Sequence, residues 1–210
     1  MSTPLNLDHV VVATNNLAAT VRDFEEATGV APQAGGVHPQ FGTRNYLVTF
    51  GGGAYLELIG LDPDIAVPGE TRMFNLHRVI TPVVATFAIH PSDPDDALRR
   101  AADLGLDLGP LAGGQRRDTE GNLLEWRLTR PLFAEESGVI PFLIDWGSTP
   151  TPAETVRAAA ALDDFLVAHP DPDWVRQRYA ALGTDLPVAR ADQPSLSLTV
   201  SGPGGAWTVS

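Results

Sequence analysis

The order of elements recurs along this chain, and the recurrence restricts the fold more than any single motif. Moving the sequence by 78 positions lays Phe87 on Phe165, Asp93-Pro94-Asp95 on Asp171-Pro172-Asp173, Arg100 on Arg178, Leu104-Gly105 on Leu182-Gly183 and Asp107-Leu108 on Asp185-Leu186. Each copy reads as a strand, a helix capped by an aspartate that precedes proline, a glycine stop and a further strand. The first segment follows the same order. Leu7 to Ala13 is an apolar strand, Asn15-Asn16 caps a helix from Leu17 that stops at Gly29, and 30–37 is a short irregular strand. Thr43 to Phe50 and Ala54 to Gly60 form a hairpin across Gly51-Gly52-Gly53. Thr81 to Ile89, Leu123 to Thr129 and Ile140 to Trp146 are strands of the second segment, with the helix at Pro94 to Leu104. Gly113 to Asn122 reads as an exposed connection, and 62–80 as a linker. Ser195 to Val200 and Ala206 to Val209 are two last strands. The period is too long and the copies too few for a solenoid.

Composition removes several chemistries. The chain has no cysteine, and all fourteen of its basic residues are arginine. Without thiols there is no disulfide or thiolate chemistry, and without lysine there is no Schiff base and no phosphate-binding loop that ends in lysine. No serine sits in a Gly-x-Ser-x-Gly elbow. A formal charge of -12 and a pI near 4.6 disfavour attraction to nucleic acid or to anionic membranes. A small molecule or another protein is the expected partner. The amino terminus lacks a basic region followed by an apolar core, and no apolar run approaches the ~20 residues of a membrane span. A soluble, cytoplasmic protein is expected.

Two phrases place a polar, ligand-type residue inside a strand: Leu7-Asp8-His9-Val10-Val11 and Tyr55-Leu56-Glu57-Leu58-Ile59. Asp8 and His9 are neighbours, so a regular strand sends them to opposite faces. His9 is then either a ligand in a site or a buried histidine with a backbone partner. Glu57 between two leucines calls for a cation, which either a metal or an arginine such as Arg44 or Arg127 supplies. His38, after Gly35-Gly36 and before Pro39, is either a proton donor over a site or a solvated loop residue. Arg44 and Asn45 suit recognition of a carboxylate or carbonyl, and surface ion pairing is the ordinary alternative for Arg44. Trp126 and Trp146 either line an aromatic pocket or fill a core. His90 and His169 precede proline or a helix and read as solvated loop residues.

These repeated β-α-β-β-β units, with histidine in the first strand and glutamate in the last, resemble the vicinal-oxygen-chelate superfamily. Asp8-His9-Val10, Gly35-Gly36-Val37-His38-Pro39, Gly42-Thr43-Arg44-Asn45-Tyr46, Tyr55-Leu56-Glu57-Leu58 and Pro141-Phe142-Leu143-Ile144-Asp145-Trp146 look most like its glyoxalase-like domain branch. The resemblance implies an α+β fold, with curled mixed sheets enclosing an open cup and helices packed outside. It also implies a paired-module domain over 5–150, with units 5–61 and 81–147, and a third, degenerate β-α-β-β unit over 155–210 packed on the same domain. His9 and Glu57 match the metal-ligand positions of the first unit. The counterpart of His9 in the second unit falls near Ala85 or Thr86, neither of which replaces an imidazole, and Asp145 stands near the place of Glu57.

The implied metal set is therefore His9, Glu57 and Asp145, holding iron, manganese, nickel or zinc, with no organic cofactor. Glu57 and His38 are the implied catalytic residues, and Arg44, Asn45, Trp126 and Trp146 the substrate contacts. The resemblance leaves two functions open. One is a metal-dependent lyase, isomerase or dioxygenase that chelates a small oxygen-bearing substrate and stabilises an enolate or oxyanion. The other is a non-catalytic binding or sequestering protein of the bleomycin-resistance type. Either acts as a monomer or a homodimer on a small-molecule ligand.

Overall fold

The punctuation residues fall at element ends in the structure, a computed structural model that describes all residues except 1–3, 5, 40, 66–72, 118–120 and 131–137. Asn16 accepts from the Ala19 amide at the start of α1 (Leu17–Thr28), and Gly29 ends that helix at φ 71°. Asp93 accepts from Asp96 N at the start of α2 (Pro94–Asp103), and Asp171 accepts from Trp174 N at the start of α4 (Pro172–Leu182). Gly105 and Gly183 follow at φ 73° and 82°. Each cap satisfies an amide that the first helical turn leaves without a partner, and each glycine supplies a left-handed turn that a side chain would strain. α3 (Pro152–Thr155) is a single turn.

Eight strands form one sheet in the order β2-β3-β4-β1-β5-β8-β7-β6. The first unit supplies β1 (Leu7–Thr14), β2 (Gln33–His38), β3 (Thr43–Gly51) and β4 (Ala54–Leu61). The second supplies β5 (Val83–Ile89), β6 (Ala112–Arg117), β7 (Leu123–Leu128) and β8 (Phe142–Asp145). Within each unit the first and last strands lie parallel, β1 beside β4 and β5 beside β8, and the units join through the antiparallel pair β1–β5. The sheet curls until its two edges approach, and Arg116 of β6 donates to the Gly35 carbonyl of β2 at 2.6 Å. The expected α+β fold with a curled mixed sheet is what forms.

β9 (Ala161–His169), β10 (Val188–Arg190), β11 (Ser195–Gly202) and β12 (Gly205–Val209) make a second sheet in the order β10-β9-β11-β12. Its element order repeats that of the second unit, but its pairing does not. Here the strand directly after the helix lies parallel to the first strand, where β5 takes β8 instead. The outer face of the large sheet (Val10, Val12, Leu56, Leu58, Phe87, Leu143), the helices and the small sheet share one core, in which Phe87 meets Phe165 edge-on at 5.2 Å. The Tyr179 hydroxyl donates to Val139 O at 2.6 Å and pins α4 to the second unit.

The inner face carries a second apolar cluster of Val11, Ala13, Ile59, Ala88, Phe142, Ile144 and Trp146. The stretch expected as a linker contributes to it: residues 73–78 form a 3-10 helix that buries Phe74 and Leu76 there. At another part of this face Val156, just beyond α3, covers Leu47 and Tyr55. The connection expected over 113–122 begins as strand β6, while 118–120 lie outside the described residues. Gly113-Gly114 imitates a loop, yet Gly114 serves packing, since a Cβ there would stand 2.5 Å from Trp126 Nε1. Among the described residues no helix is long and apolar enough to cross a membrane.

Candidate functional site

Period-two alternation puts Tyr55, Glu57 and Ile59 of β4 on the inner face and Leu56 and Leu58 on the outer one. Asn45 and Glu57 meet on this inner face, with Asn45 Nδ2 donating to Glu57 Oε1 at 2.6 Å. His9 Nε2 lies 3.7 Å from the other oxygen, Oε2. His9 is 4 % exposed, stacked on Tyr55 at 4.7 Å and edge-on to Phe142 at 5.4 Å. The imidazole is thus held between two rings with one nitrogen facing a carboxylate.

Its other nitrogen overturns the expectation that Asp8 and His9 point apart. In the β1–β5 ladder Leu7 pairs with Ile89 and His9 with Ala88, so Asp8 is an extra residue opposite no partner. Such a bulge turns two successive side chains to the same side. His9 Nδ1 therefore reaches Asp8 Oδ1 at 2.6 Å, while Asp8 Oδ2 receives Trp146 Nε1 and His90 Nδ1, each at 3.0 Å.

Asp8 is fully buried, and burial alone would raise its pKa. The bonds and charges of His9 and His90 outweigh that and hold it down at about 2. An ionised carboxylate only accepts, so His9 Nδ1 carries a hydrogen, and Nε2 is the ring nitrogen turned toward Glu57. Burial, with the negative charges of Asp8 and Glu57, pushes the Tyr55 hydroxyl well above its ordinary range.

His38 also faces inward, with Nδ1 3.1 Å from Thr43 Oγ1. Burial lowers its pKa, against the charge of Glu57 and with that of Arg116. Trp126 and Trp146 pack at 5.5 Å and line an open cavity of about 650 Å³ with Gly114, Glu125 and Thr149. Trp146 thereby joins this cavity to the buried carboxylate.

Two expected contacts are not on the face of His9 and Glu57, although Asp145, with Arg127, also lines the cavity beside Trp126 and Trp146. Arg44 is on the outer face of β3 and pairs with the buried Asp62 at 3.0 Å, which is the ion-pair alternative for that residue. Asp145 is on the outer face of β8, because Phe142 and Ile144 take the inner one. There it accepts Arg127 Nη2 at 2.5 Å and Nε at 3.0 Å, and Gly147 N at 2.9 Å. Those bonds, Arg127 foremost, lower its pKa. Asp145 is therefore not brought to His9 and Glu57. Among the described residues no three histidine, aspartate or glutamate side chains gather as metal ligands. His9 Nε2 and Glu57 Oε2 are two donors, short of the three that an open catalytic site of this kind uses.

Sequence reasoning misses His90, which reads there as a solvated loop residue, and Arg116. No local signal marks His90, since its role depends on a partner 82 positions away. Arg116 had one: the Gly35-Gly36 pair, against which its side chain lies.

A family model described as glyoxalase-like domain matches residues 7–183. No curated protein matches the sequence. Among solved structures, a hypothetical protein from Staphylococcus aureus is similar at 11% identity and TM-score 0.68, over 97% of this chain and 98% of that one. This likeness shows a shared fold. Methylmalonyl-CoA epimerase from Mycobacterium tuberculosis aligns at 22% identity and TM-score 0.44, over 70% of this chain and 93% of its own. A hypothetical protein from Bacillus halodurans aligns at 13% identity and TM-score 0.45, over 69% and 96%.

Proposed function

The chain belongs to the glyoxalase-like domain family, and from that premise we propose that its inner-face cluster binds a small oxygen-bearing organic molecule and moves a proton on it by general acid–base catalysis. The observation that carries this reading is the chain Asp8–His9–Glu57–Asn45, with contacts of 2.6, 3.7 and 2.6 Å. Asp8 fixes the tautomer and orientation of His9 and stabilises a positive charge on it. Asn45 fixes Glu57 so that Oε2 faces the ring. A carbon acid beside a carbonyl, seated at this pair, loses its proton to Glu57. The C–H electron pair becomes the C=C bond of an enolate, and the imidazolium form of His9, whose second hydrogen came from solvent before binding, hydrogen-bonds the oxyanion through Nε2 without giving that hydrogen up. Return of the proton from Glu57 completes an isomerisation or exchange. The implied metal set is incomplete, so no step here runs through a metal.

The test is proton exchange in D₂O, followed by NMR, on a panel of 2-oxo acids, 1,3-dicarbonyls and thioesters. Wild type should exchange the α-hydrogen of at least one compound. Glu57→Gln and His9→Gln should each lower that rate by about 10²-fold or more. Exchange that appears only on adding Mn²⁺, Fe²⁺, Ni²⁺ or Zn²⁺ would refute proton transfer by protein groups alone. Binding with no exchange in any compound would favour the sequestering protein.

A further inference from the structure

We infer that Arg116 is a substrate-recognition residue of the inner face, and that the ligand is a small carboxylate bearing a hydroxyl or enol group. This assignment deepens the proposed acid–base reading and rests on it for the location of the site. Three observations carry it.

The first is charge. Arg44 is neutralised by Asp62 and Arg127 by Asp145, both on the outer face. Arg116 has no carboxylate within ion-pair distance among the described residues; its Nη1 bonds only the Gly35 carbonyl. Its charge acts on His38 and on Tyr55, both inner-face residues that also feel the charge of Glu57. On a chain of net charge -12 an anionic ligand is repelled at long range, so its capture needs a local cation. A guanidinium with most of its N–H groups free is suited to a carboxylate.

The second is the backbone beneath it. A Cβ at Gly36 would stand 2.7 Å from Arg116 Nη1 and 3.1 Å from its Cδ. The β2–β3 ladder breaks register between Ala34 and Gly36, so Gly35 is a bulge residue, and it is the carbonyl of this residue that Arg116 holds. The side chain is thus seated in a glycine groove, with its position set before a ligand arrives.

The third is an unused acceptor. Asn45 is 4 % exposed, and its Oδ1 has no hydrogen-bond partner. The amide cannot be turned to relieve this, because Nδ2 must face the Glu57 carboxylate. A Cβ at Gly35 would stand 2.4 Å from Oδ1, so the same glycine abuts both Asn45 Oδ1 and the Arg116 guanidinium. A ligand of a few atoms can place its carboxylate on Arg116 and its hydroxyl on Asn45 Oδ1. Its reacting carbon then faces Glu57 and His9.

The experiment is calorimetric titration of the full chain with hydroxy acids of three to six carbons. Each acid is matched with its primary amide and with the acid lacking the hydroxyl. Wild type should bind at least one hydroxy acid about tenfold or more tighter than either counterpart. Arg116→Gln should erase the preference for acid over amide while leaving affinity for the amide within about twofold. Arg116→Lys, which keeps the charge but not the planar fork, should retain part of the preference and serves if the glutamine variant fails to fold. Binding of no member of the panel, or an acid preference that survives Arg116→Gln, overturns the assignment. Binding and exchange measured side by side on wild type separate the two readings: hydroxy-acid binding with an acid preference that Arg116→Gln erases, but with no α-hydrogen exchange, would sink the acid–base reading and leave this one standing. Exchange of neutral compounds without any acid preference would do the reverse.

Discussion

Replacing Asp8 by asparagine keeps the shape of a carboxylate that is fully buried and removes its charge. Asp8 is held at about 2, against an ordinary value of 3.8. At about 1.4 kcal/mol for each tenfold step in proton affinity, that difference corresponds to about 2–3 kcal/mol of folding stability at neutral pH. The sign follows from the depressed value. The unfolded chain takes up the proton first as pH falls, so the contribution is complete above about pH 5 and is lost toward pH 2, roughly half of it by pH 3. The amide adds a second penalty. Asp8 accepts from His9, His90 and Trp146, and an asparagine must turn an NH₂ toward at least one of these N–H donors, which costs a further 1–3 kcal/mol or so. Asp8→Asn should therefore lose about 3–5 kcal/mol at pH 7 in urea unfolding, and about 10 °C or more in Tm for a domain of this size. The gap to wild type should narrow by about 1 kcal/mol at pH 3. In ¹⁵N spectra, the Nδ1–H form of His9 should give way to a mixture of tautomers. A gap that is equal at pH 7 and pH 3, or smaller than about 1 kcal/mol throughout, would refute the claim that an ionised Asp8 organises the cluster.

Gly138 has φ 76°, and a Cβ there would stand 2.0 Å from the Ala85 carbonyl, whereas Gly121 at φ 88° has nothing within 4 Å. Gly138→Ala should cost about 3 kcal/mol or more and Gly121→Ala about 1 kcal/mol, both read from urea midpoints. Burial holds the His38 pKa below 6.5, so the unfolded chain binds the proton more readily and wild-type stability should decline as pH falls through that value. His38→Gln should flatten this decline between about pH 7 and 5, and an unchanged slope would show that His38 is not its source.

Much of the fold could be read from local chemistry. Asn16, Asp93 and Asp171 cap helices where their sequences place them, because a cap is a contact across three residues. Glu57 between Leu56 and Leu58 lies on the polar face of its strand because side chains alternate in a strand whatever its neighbours are. The same rule failed at Asp8 and gave no guidance at Asp145. In β8 the inner Phe142 and Ile144 and the outer Leu143 are equally apolar, so nothing in the strand's composition marks which face its carboxylate takes. At Asp8 a bulge against β5 cancels the alternation, and a bulge is a relation between strands some eighty positions apart.

The remaining differences share that cause. Sequence alone determined the element order and the helix ends, since these follow from contacts within a turn or from the repeated unit, while the pairing of His9 with Glu57 was an expectation of the family resemblance. Tertiary structure alone decided that Asp8 and His9 converge, that His90 and Trp146 close on the same carboxylate, and that Arg116 reaches β2 while Arg44 turns away. Register and curl set each of these, and both arise only when distant strands pair.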